Sequence, residues 1–171
     1  VGWNRTAALW AAWDRENDIV YLYGEHYRGQ AEPYVHAQAI KGRGDWVPGV
    51  IDPASRGRSQ IDGRQLFSQY TDLGLKLEFA INTVESGIYA VWTRMSLGKL
   101  KVFNSLVSFK EEFRLYRRDD KGKIVKEKDH LLDCLRYLIL SGLALAITKP
   151  KPAEPDQDEF GHSGRDGGWM A

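Results

Sequence analysis

The chain contains a single cysteine, Cys134, so no disulfide can form within it. That scarcity is typical of proteins from reducing compartments. No secretory signal opens the sequence, and no apolar run reaches the ~18 residues that a membrane-spanning helix needs. The GxxxxGK[ST] phosphate loop is absent too, so these residues carry no nucleotide hydrolysis of that class. We therefore expect a cytoplasmic protein that has no membrane partner.

An excess of one charge is also missing, because 24 Lys and Arg residues balance 23 Asp and Glu residues. Near-neutrality says little about nucleic acid, since binding depends on where the basic residues lie. Two segments are locally basic, and their lysines and arginines would bind DNA phosphates without reading sequence. The lysines would serve equally well to protect an exposed strand edge. The candidate DNA-binding residues are Arg56, Arg58, Lys121, Lys123 and Lys126.

Strand and helix patterns alternate along residues 1–148, which indicates one α/β domain. Residues 5–13 and 19–27 are apolar and aromatic on either side of a polar turn, as in a β-hairpin. Residues 149–171 are rich in Pro, Gly and charge, and we expect them to form a flexible, disordered tail. The predicted helices cover residues 33–39, 64–73, 83–96, 106–117 and 130–147, the later strands cover 75–81 and 99–103, and a hairpin turn covers 119–123.

The last predicted helix begins with a cluster of polar side chains. Because successive residues of a helix turn by ~100°, these side chains share one face, opposite an apolar one. A simple interpretation makes Asp129 an N-cap and makes Asp133 and Arg136 a solvated ion pair. The polar face consists of Asp129, His130, Asp133 and Tyr137.

A second acidic position favours a metal site over that simple interpretation. Asp52 follows a short β-branched strand and precedes Pro53. Open α/β sheets place their ligands at such strand ends. Carboxylate oxygens are the ligands that Mg²⁺ and Mn²⁺ prefer. We therefore interpret Asp52 and Asp133 as metal ligands that the fold brings together.

Three segments carry a resemblance to a known family. They are Gly2-Trp3-Asn4, Val50-Ile51-Asp52-Pro53 and Asp129-His130-Leu131-Leu132-Asp133-Cys134-Leu135-Arg136-Tyr137. Together they resemble the nuclease domain of the large terminase subunit of tailed bacteriophages, which has the fold of RNase H and retroviral integrase. The family has Ala where this chain has Cys134. The resemblance runs from residue 1 to about residue 145 and implies an RNase H-like mixed β-sheet flanked by helices. It also places the family's first acidic residue before Val1.

The resemblance implies a metal-dependent endonuclease that cuts concatemeric double-stranded DNA with little sequence specificity. Asp52 and Asp133 would bind two Mg²⁺ or Mn²⁺ ions, and His130 would bind the second ion or move a proton to the leaving group. Asp129 and Glu25 could also approach the ions. N-capping explains Asp129 better, however, and surface charge at a strand end explains Glu25 better.

The same resemblance implies a set of partners besides double-stranded DNA. They are an N-terminal ATPase domain of the same polypeptide, the portal protein and the small terminase subunit, all in the host cytoplasm. Two alternatives stay open from the residues alone. One is another RNase H-like nuclease such as a junction resolvase, and the other is a non-catalytic module that docks on DNA or on a portal.

Overall fold

Two small sheets surrounded by helices make up residues 2–57, 65–125 and 127–149, the part of the chain that the computed structural model describes. The mixed α/β architecture expected from the sequence is confirmed. Its elements are β1 (Thr6–Asp14), β2 (Ile19–Arg28), α1 (Pro33–Lys41), β3 (Gly49–Ile51), α2 (Leu66–Asp72), β4 (Leu77–Phe79), α3 (Val84–Ser96), β5 (Leu100–Val102), α4 (Val107–Leu115) and α5 (His130–Leu140).

The first sheet has β2 at its centre, antiparallel to β1 and parallel to β5. The predicted hairpin is confirmed, with Asp14 opposite Ile19 across the turn and an irregularity between Trp10 and Ala11. The second sheet pairs β3 with β4 in parallel. Among the described residues, β1 and β3 are therefore edge strands of two separate sheets.

One apolar core holds α5 against the first sheet. Leu131 and Leu135 of α5 are fully buried, as are Val20 and Leu22 of β2. Leu131, Leu135 and the partly buried Leu138 recur at intervals of four and three residues, so one stripe of the helix faces the core. Helix α5 also contacts α3, α4, β1 and β3. Its central place is why its polar residues have fixed surroundings.

The final helix is shorter than its sequence pattern suggests. It ends at Leu140, and a 3-10 turn over Gly142–Leu145 follows. The prediction of a helix continuing to residue 147 is therefore wrong. Ser141 leaves helical geometry at φ −139° and ψ −32°, and its Oγ donates to the Tyr137 carbonyl. At Gly142 a Cβ atom would come within 3.2 Å of Leu138. The break in backbone geometry at Ser141 thus ends the helix where the composition alone would extend it.

The basic segment before α5 contains the turn expected at residues 119–123. Asp119 Oδ1 accepts hydrogen bonds from the Lys121 and Lys123 amides, and Gly122 adopts φ +74°. Arg118 and Ile124 pair across the turn as an antiparallel bridge. In the described parts of the chain, no helix is both long enough and apolar enough to span a membrane.

Candidate functional site

A cavity of about 950 Å³ lies between the edge strands β1 and β3 and is bounded by α5. Much of its lining is apolar and comes from β1 and from the segment that leads into β3. Its lining includes Asp52, which directly follows β3, and His130, Asp133 and Tyr137 of α5; Asp14 and Asp45 line it too. The structure thus brings Asp52 to the same cavity as His130 and Asp133, which lie much later in the sequence.

Asp52 is fixed by the turn that follows β3. Its Oδ1 accepts a hydrogen bond of 2.9 Å from the Ala54 amide, so the side chain caps the 3-10 turn over Pro53–Arg56. Its carbonyl accepts one of 2.6 Å from Ser55 Oγ, and Ser55 is buried. No described residue donates a hydrogen bond to Oδ2. The turn therefore orients the carboxylate and leaves one oxygen available to a cation.

Asp133 is fixed by an ion pair with the next turn of its own helix. Arg136 donates to Asp133 Oδ1 through Nη2 at 2.6 Å and through Nε at 3.2 Å. Arg136 is only 4% exposed, and its guanidinium also reaches Asn82 Oδ1. The pair expected from the sequence is present, but it is not solvated as expected, because packing against α3 buries the arginine. Among the described residues, Asp133 Oδ2 has no hydrogen-bond donor.

Tyr137 lines the cavity together with Asp52 and Asp133, and the charges of both carboxylates act on its hydroxyl. Burial, reinforced by the negative charges of Asp52 and Asp133, raises the pKa of its hydroxyl. The phenol therefore stays protonated at neutral pH and can donate a hydrogen bond. Cys134, on the same helix, is the protein's one thiol, and burial raises its pKa to about 12. Its Sγ donates to the Ala7 carbonyl at 3.6 Å. The cysteine thus packs α5 on β1 as a neutral thiol.

The start of α5 is capped by a residue that sequence reasoning missed. Asp129 occupies the N-cap position, but its side chain makes no capping hydrogen bond, so the expected capping role is wrong. Glu112 of α4 performs it instead, because its Oε2 accepts the Leu131 amide at 2.6 Å. One sequence signal could have revealed this residue. Glu112 falls three positions after Phe109, on the buried stripe of α4 where an apolar residue is the norm.

Glu25, the remaining candidate ligand, has a different role in the structure. Its two carboxylate oxygens accept hydrogen bonds of 2.9 Å from the backbone amides of Ser108 and Phe109. The side chain therefore anchors the first turn of α4 to β2, and Glu25 is not among the residues that line the cavity. This geometry gives no support to Glu25 as a metal ligand.

The basic candidates lie in two places. Lys121 and Lys123 belong to the turn described above and are exposed. The Arg56 guanidinium stacks over the Phe79 ring, 3.9 Å from its centroid. Arg58, Lys126 and the predicted tail beyond residue 149 lie outside the described residues.

The ligand set is chemically suitable for a divalent cation but not compact. Asp52 and Asp133 each have one carboxylate oxygen to which no described residue donates a hydrogen bond. The nearby Cys134 thiol is protonated, so the available ligands are oxygens, which suit a hard cation. Within residues 2–57, 65–125 and 127–149, however, no three or more His, Cys, Asp or Glu side chains converge as a metal site would require. Among the described residues, Asp52 and Asp133 are therefore two cavity carboxylates that could hold a cation.

Comparisons with known proteins agree on one family. Residues 4–141 match the family described as "Terminase RNaseH-like domain". The large terminase subunit of Salmonella phage P22 is 36% identical over 146 residues, which are 80% of this chain and 29% of that protein. The chain therefore spans less than a third of that relative.

Solved structures agree with the sequence match. The nuclease domain of the P22 large terminase has a TM-score of 0.70 at 34% identity and covers 82% of this chain and 76% of its own. The large terminase nuclease domain of bacteriophage SPP1, solved with bound Mn, has a TM-score of 0.60 at 16% identity over 80% and 78% of the two chains. At that identity the second likeness concerns the fold alone.

Proposed function

Because the chain belongs to the terminase RNaseH-like domain family, we propose that it is a metal-dependent endonuclease domain that cuts concatemeric double-stranded DNA during phage genome packaging. The observation that carries this proposal is the meeting of Asp52, His130 and Asp133 in one cavity. These residues belong to the motifs by which the sequence resembles the family. The fold that positions them is the terminase nuclease fold.

The cation would be held by Asp52 Oδ2 and Asp133 Oδ2, the oxygens to which no described residue donates a hydrogen bond. When bound, a divalent cation of this kind activates water and stabilises charge on the phosphate. Mg²⁺ or Mn²⁺ suits these oxygen ligands, and the SPP1 domain was solved with bound Mn. Two ions, and the presence of Asp129 among their ligands, stay predictions.

The protein's own residues would orient the reacting groups. Arg136 fixes the Asp133 carboxylate, and Ala54 fixes that of Asp52, so neither needs to reorganise during the reaction. His130 lines the same cavity and can carry a proton to the departing oxygen.

DNA would be bound through its phosphates. Lys121 and Lys123 lie in an exposed turn that precedes α5, and Arg56 lies four positions after Asp52. Lys126 and Arg58 belong to the same two basic segments. Contacts of this kind are independent of base sequence, in keeping with a nuclease of little sequence specificity.

The other partners follow from the family. The P22 relative is a large terminase subunit more than three times as long as the matched region. We propose that this domain acts with an ATPase domain of the same polypeptide, a portal protein and a small terminase subunit, in the host cytoplasm.

A plasmid-nicking assay with Mn²⁺ tests the proposal. We expect residues 1–171 to cut poorly or not at all and an N-terminally extended version to cut, and we expect Asp52→Asn and Asp133→Asn to reduce cutting to background. Glu111→Gln is the matched control, since Glu111 is an exposed carboxylate of α4 outside the cavity and the basic turn. An N-terminally extended version tests the expectation that a further carboxylate precedes Val1, and it should cut much faster than residues 1–171 alone.

The assay also separates the alternatives. One observation supports the alternative of a non-catalytic docking module, namely that the described residues contain no compact cluster of three metal ligands. That reading predicts DNA binding without cutting in both versions of the protein. A junction resolvase would cut a four-way junction much faster than a linear duplex, whereas the packaging nuclease should not distinguish them.

A further inference from the structure

Glu112 is a buried carboxylate in an unusual position. It lies on α4 and is 2% exposed, and its Oε2 accepts the Leu131 amide of α5 at 2.6 Å. Its Oε1 is also buried and makes no hydrogen bond with a described residue. Burying a carboxylate costs free energy, and the hydrogen bond that it accepts from the Leu131 amide offsets part of that cost. The position therefore indicates a specific role at the contact between α4 and α5.

The group that Glu112 holds is the start of the helix that carries the candidate site. Leu131 lies between His130 and Asp133, and its amide is one of the free donors of the first turn. The Asp129 side chain makes no capping hydrogen bond to this turn, and Glu112 supplies one from α4. A carboxylate at this end of a helix is also favoured by the helix dipole. Movement of this contact would displace His130 and Asp133 together.

A second contact of the same kind fixes α4. Glu25 of β2 accepts the amides of Ser108 and Phe109 at the start of α4. One carboxylate therefore joins the sheet to α4, and another joins α4 to α5. Tyr27, also on β2, lies beside the second carboxylate: burial and Glu112 together raise the pKa of its hydroxyl to about 12. The start of α5 is thus tied to β2 by side chains that do not line the cavity.

We propose that Glu112 is a positioning residue for the nuclease centre and that it sets the place of His130 and Asp133 through the Leu131 amide. The inference rests on the proposed function, because it assigns those two residues to metal binding and cutting. Glu25 acts one step further away by holding α4. Neither carboxylate lines the cavity.

The proposal predicts a graded effect on cation binding. Glu112→Ala removes the acceptor, so α5 loses its fixed start and Mn²⁺ affinity should fall by about 10- to 100-fold, as for other residues that orient metal ligands. In Glu112→Gln the amide oxygen can still accept the Leu131 N–H, so most of the affinity should return. The KM for DNA should change little, because the basic candidates lie on other segments, while kcat should fall with Glu112→Ala.

The experiment measures Mn²⁺ binding by calorimetry and Leu131 amide exchange by NMR in the metal-free protein. Glu111→Ala is the matched control, because Glu111 is the neighbouring exposed carboxylate of α4. Phe109→Leu controls for destabilisation of α4, since Phe109 is buried in the core. We expect faster Leu131 exchange and weaker Mn²⁺ binding with Glu112→Ala, and neither with Glu111→Ala.

The outcomes distinguish this inference from the function it rests on. If the unsubstituted protein binds Mn²⁺ no better than Asp133→Asn does, the proposed function fails and the inference fails with it. If Asp133→Asn loses affinity but Glu112→Ala matches Glu111→Ala, only the positioning role is wrong. If Phe109→Leu weakens Mn²⁺ binding as much as Glu112→Ala at equal loss of stability, the effect is structural and the inference is again wrong.

Discussion

Replacing Asp133 by Asn should have two separable effects, because its carboxylate has two neighbours of different kinds. One is the cavity, where loss of a negative charge should abolish cation binding and cutting. The other is Arg136, a buried guanidinium whose charge Asp133 neutralises. Asn keeps the shape and one acceptor oxygen, but it cannot neutralise that charge. The variant should therefore be inactive and also less stable.

The size of the stability loss follows from the two hydrogen bonds that Asp133 Oδ1 accepts, at 2.6 and 3.2 Å. A hydrogen bond to a charged group contributes about 1.5–3 kcal/mol and a neutral one about 0.5–1.5 kcal/mol. The Asp133 side chain is 31% exposed, so solvent screens part of the difference. We expect a loss of about 1–2 kcal/mol in the free energy of unfolding. That corresponds to a fall of about 2–8 °C in Tm for a domain of this size.

Urea unfolding followed by tryptophan fluorescence measures this loss, and Mn²⁺-dependent nicking well below Tm measures activity. Arg136→Met completes a double-mutant cycle, in which the cost of Asp133→Asn should disappear once the guanidinium is gone. Glu111→Gln serves as the charge-matched control. Unchanged stability of Asp133→Asn would refute the inferred ion pair. Full activity of the same variant at equal protein concentration would refute the metal-binding assignment.

Three further predictions concern other parts of the molecule. His26 Nε2 and His36 Nδ1 lie 2.9 Å apart, and burial is the main reason that the pKa of each ring lies below its usual 6.5. Below that pH the histidines of the unfolded chain bind protons that those of the folded chain do not, so the free energy of unfolding should fall as pH drops through 6.5. Urea unfolding at pH 7.5 and 5.5 measures this fall, and His36→Gln should make it smaller. Replacing Lys121 and Lys123 by Gln should lower the slope of log K against log salt concentration by about 1.8 for all DNA sequences. An unchanged slope, or an equal change with the control pair Lys76→Gln and Lys101→Gln, would show that this turn does not bind DNA. Finally, EDTA-treated protein should recover nicking with Mn²⁺ or Mg²⁺, and stoichiometric zinc after purification would contradict the oxygen-ligand assignment.

The local elements could be predicted from the sequence because their signals are local. The hairpin of β1 and β2 has two apolar segments around a polar turn, and Asp52 follows a short β-branched strand before a proline. The start of α5 at His130 and its apolar stripe are visible as helical periodicity. Each of these signals lies within about ten residues, so no knowledge of packing is needed.

The cavity could be predicted only in part. That Asp52 and Asp133 approach one another was expected from strand-end placement and from the family motifs, and both line one cavity. The burial of Arg136 was not expected, because an arginine three positions after an aspartate is usually solvated. Its burial depends on α3, where Gly87 leaves room for the side chain: a Cβ there would lie 3.3 Å from Arg136 Cβ.

Only the tertiary structure decided which carboxylates bind the backbone amides at the starts of α4 and α5. Glu112 caps α5 from 19 residues upstream of Leu131, and Glu25 holds Ser108 across 83 residues. Asp129, the adjacent residue that local rules favour, makes no capping bond. Side-chain preferences state that a helix start attracts an acceptor, whereas the packing of α4 against α5 determines which acceptor is close enough to reach it. Sequence alone therefore determined the elements and their polar faces, and the contacts between distant elements fixed the positions of those faces.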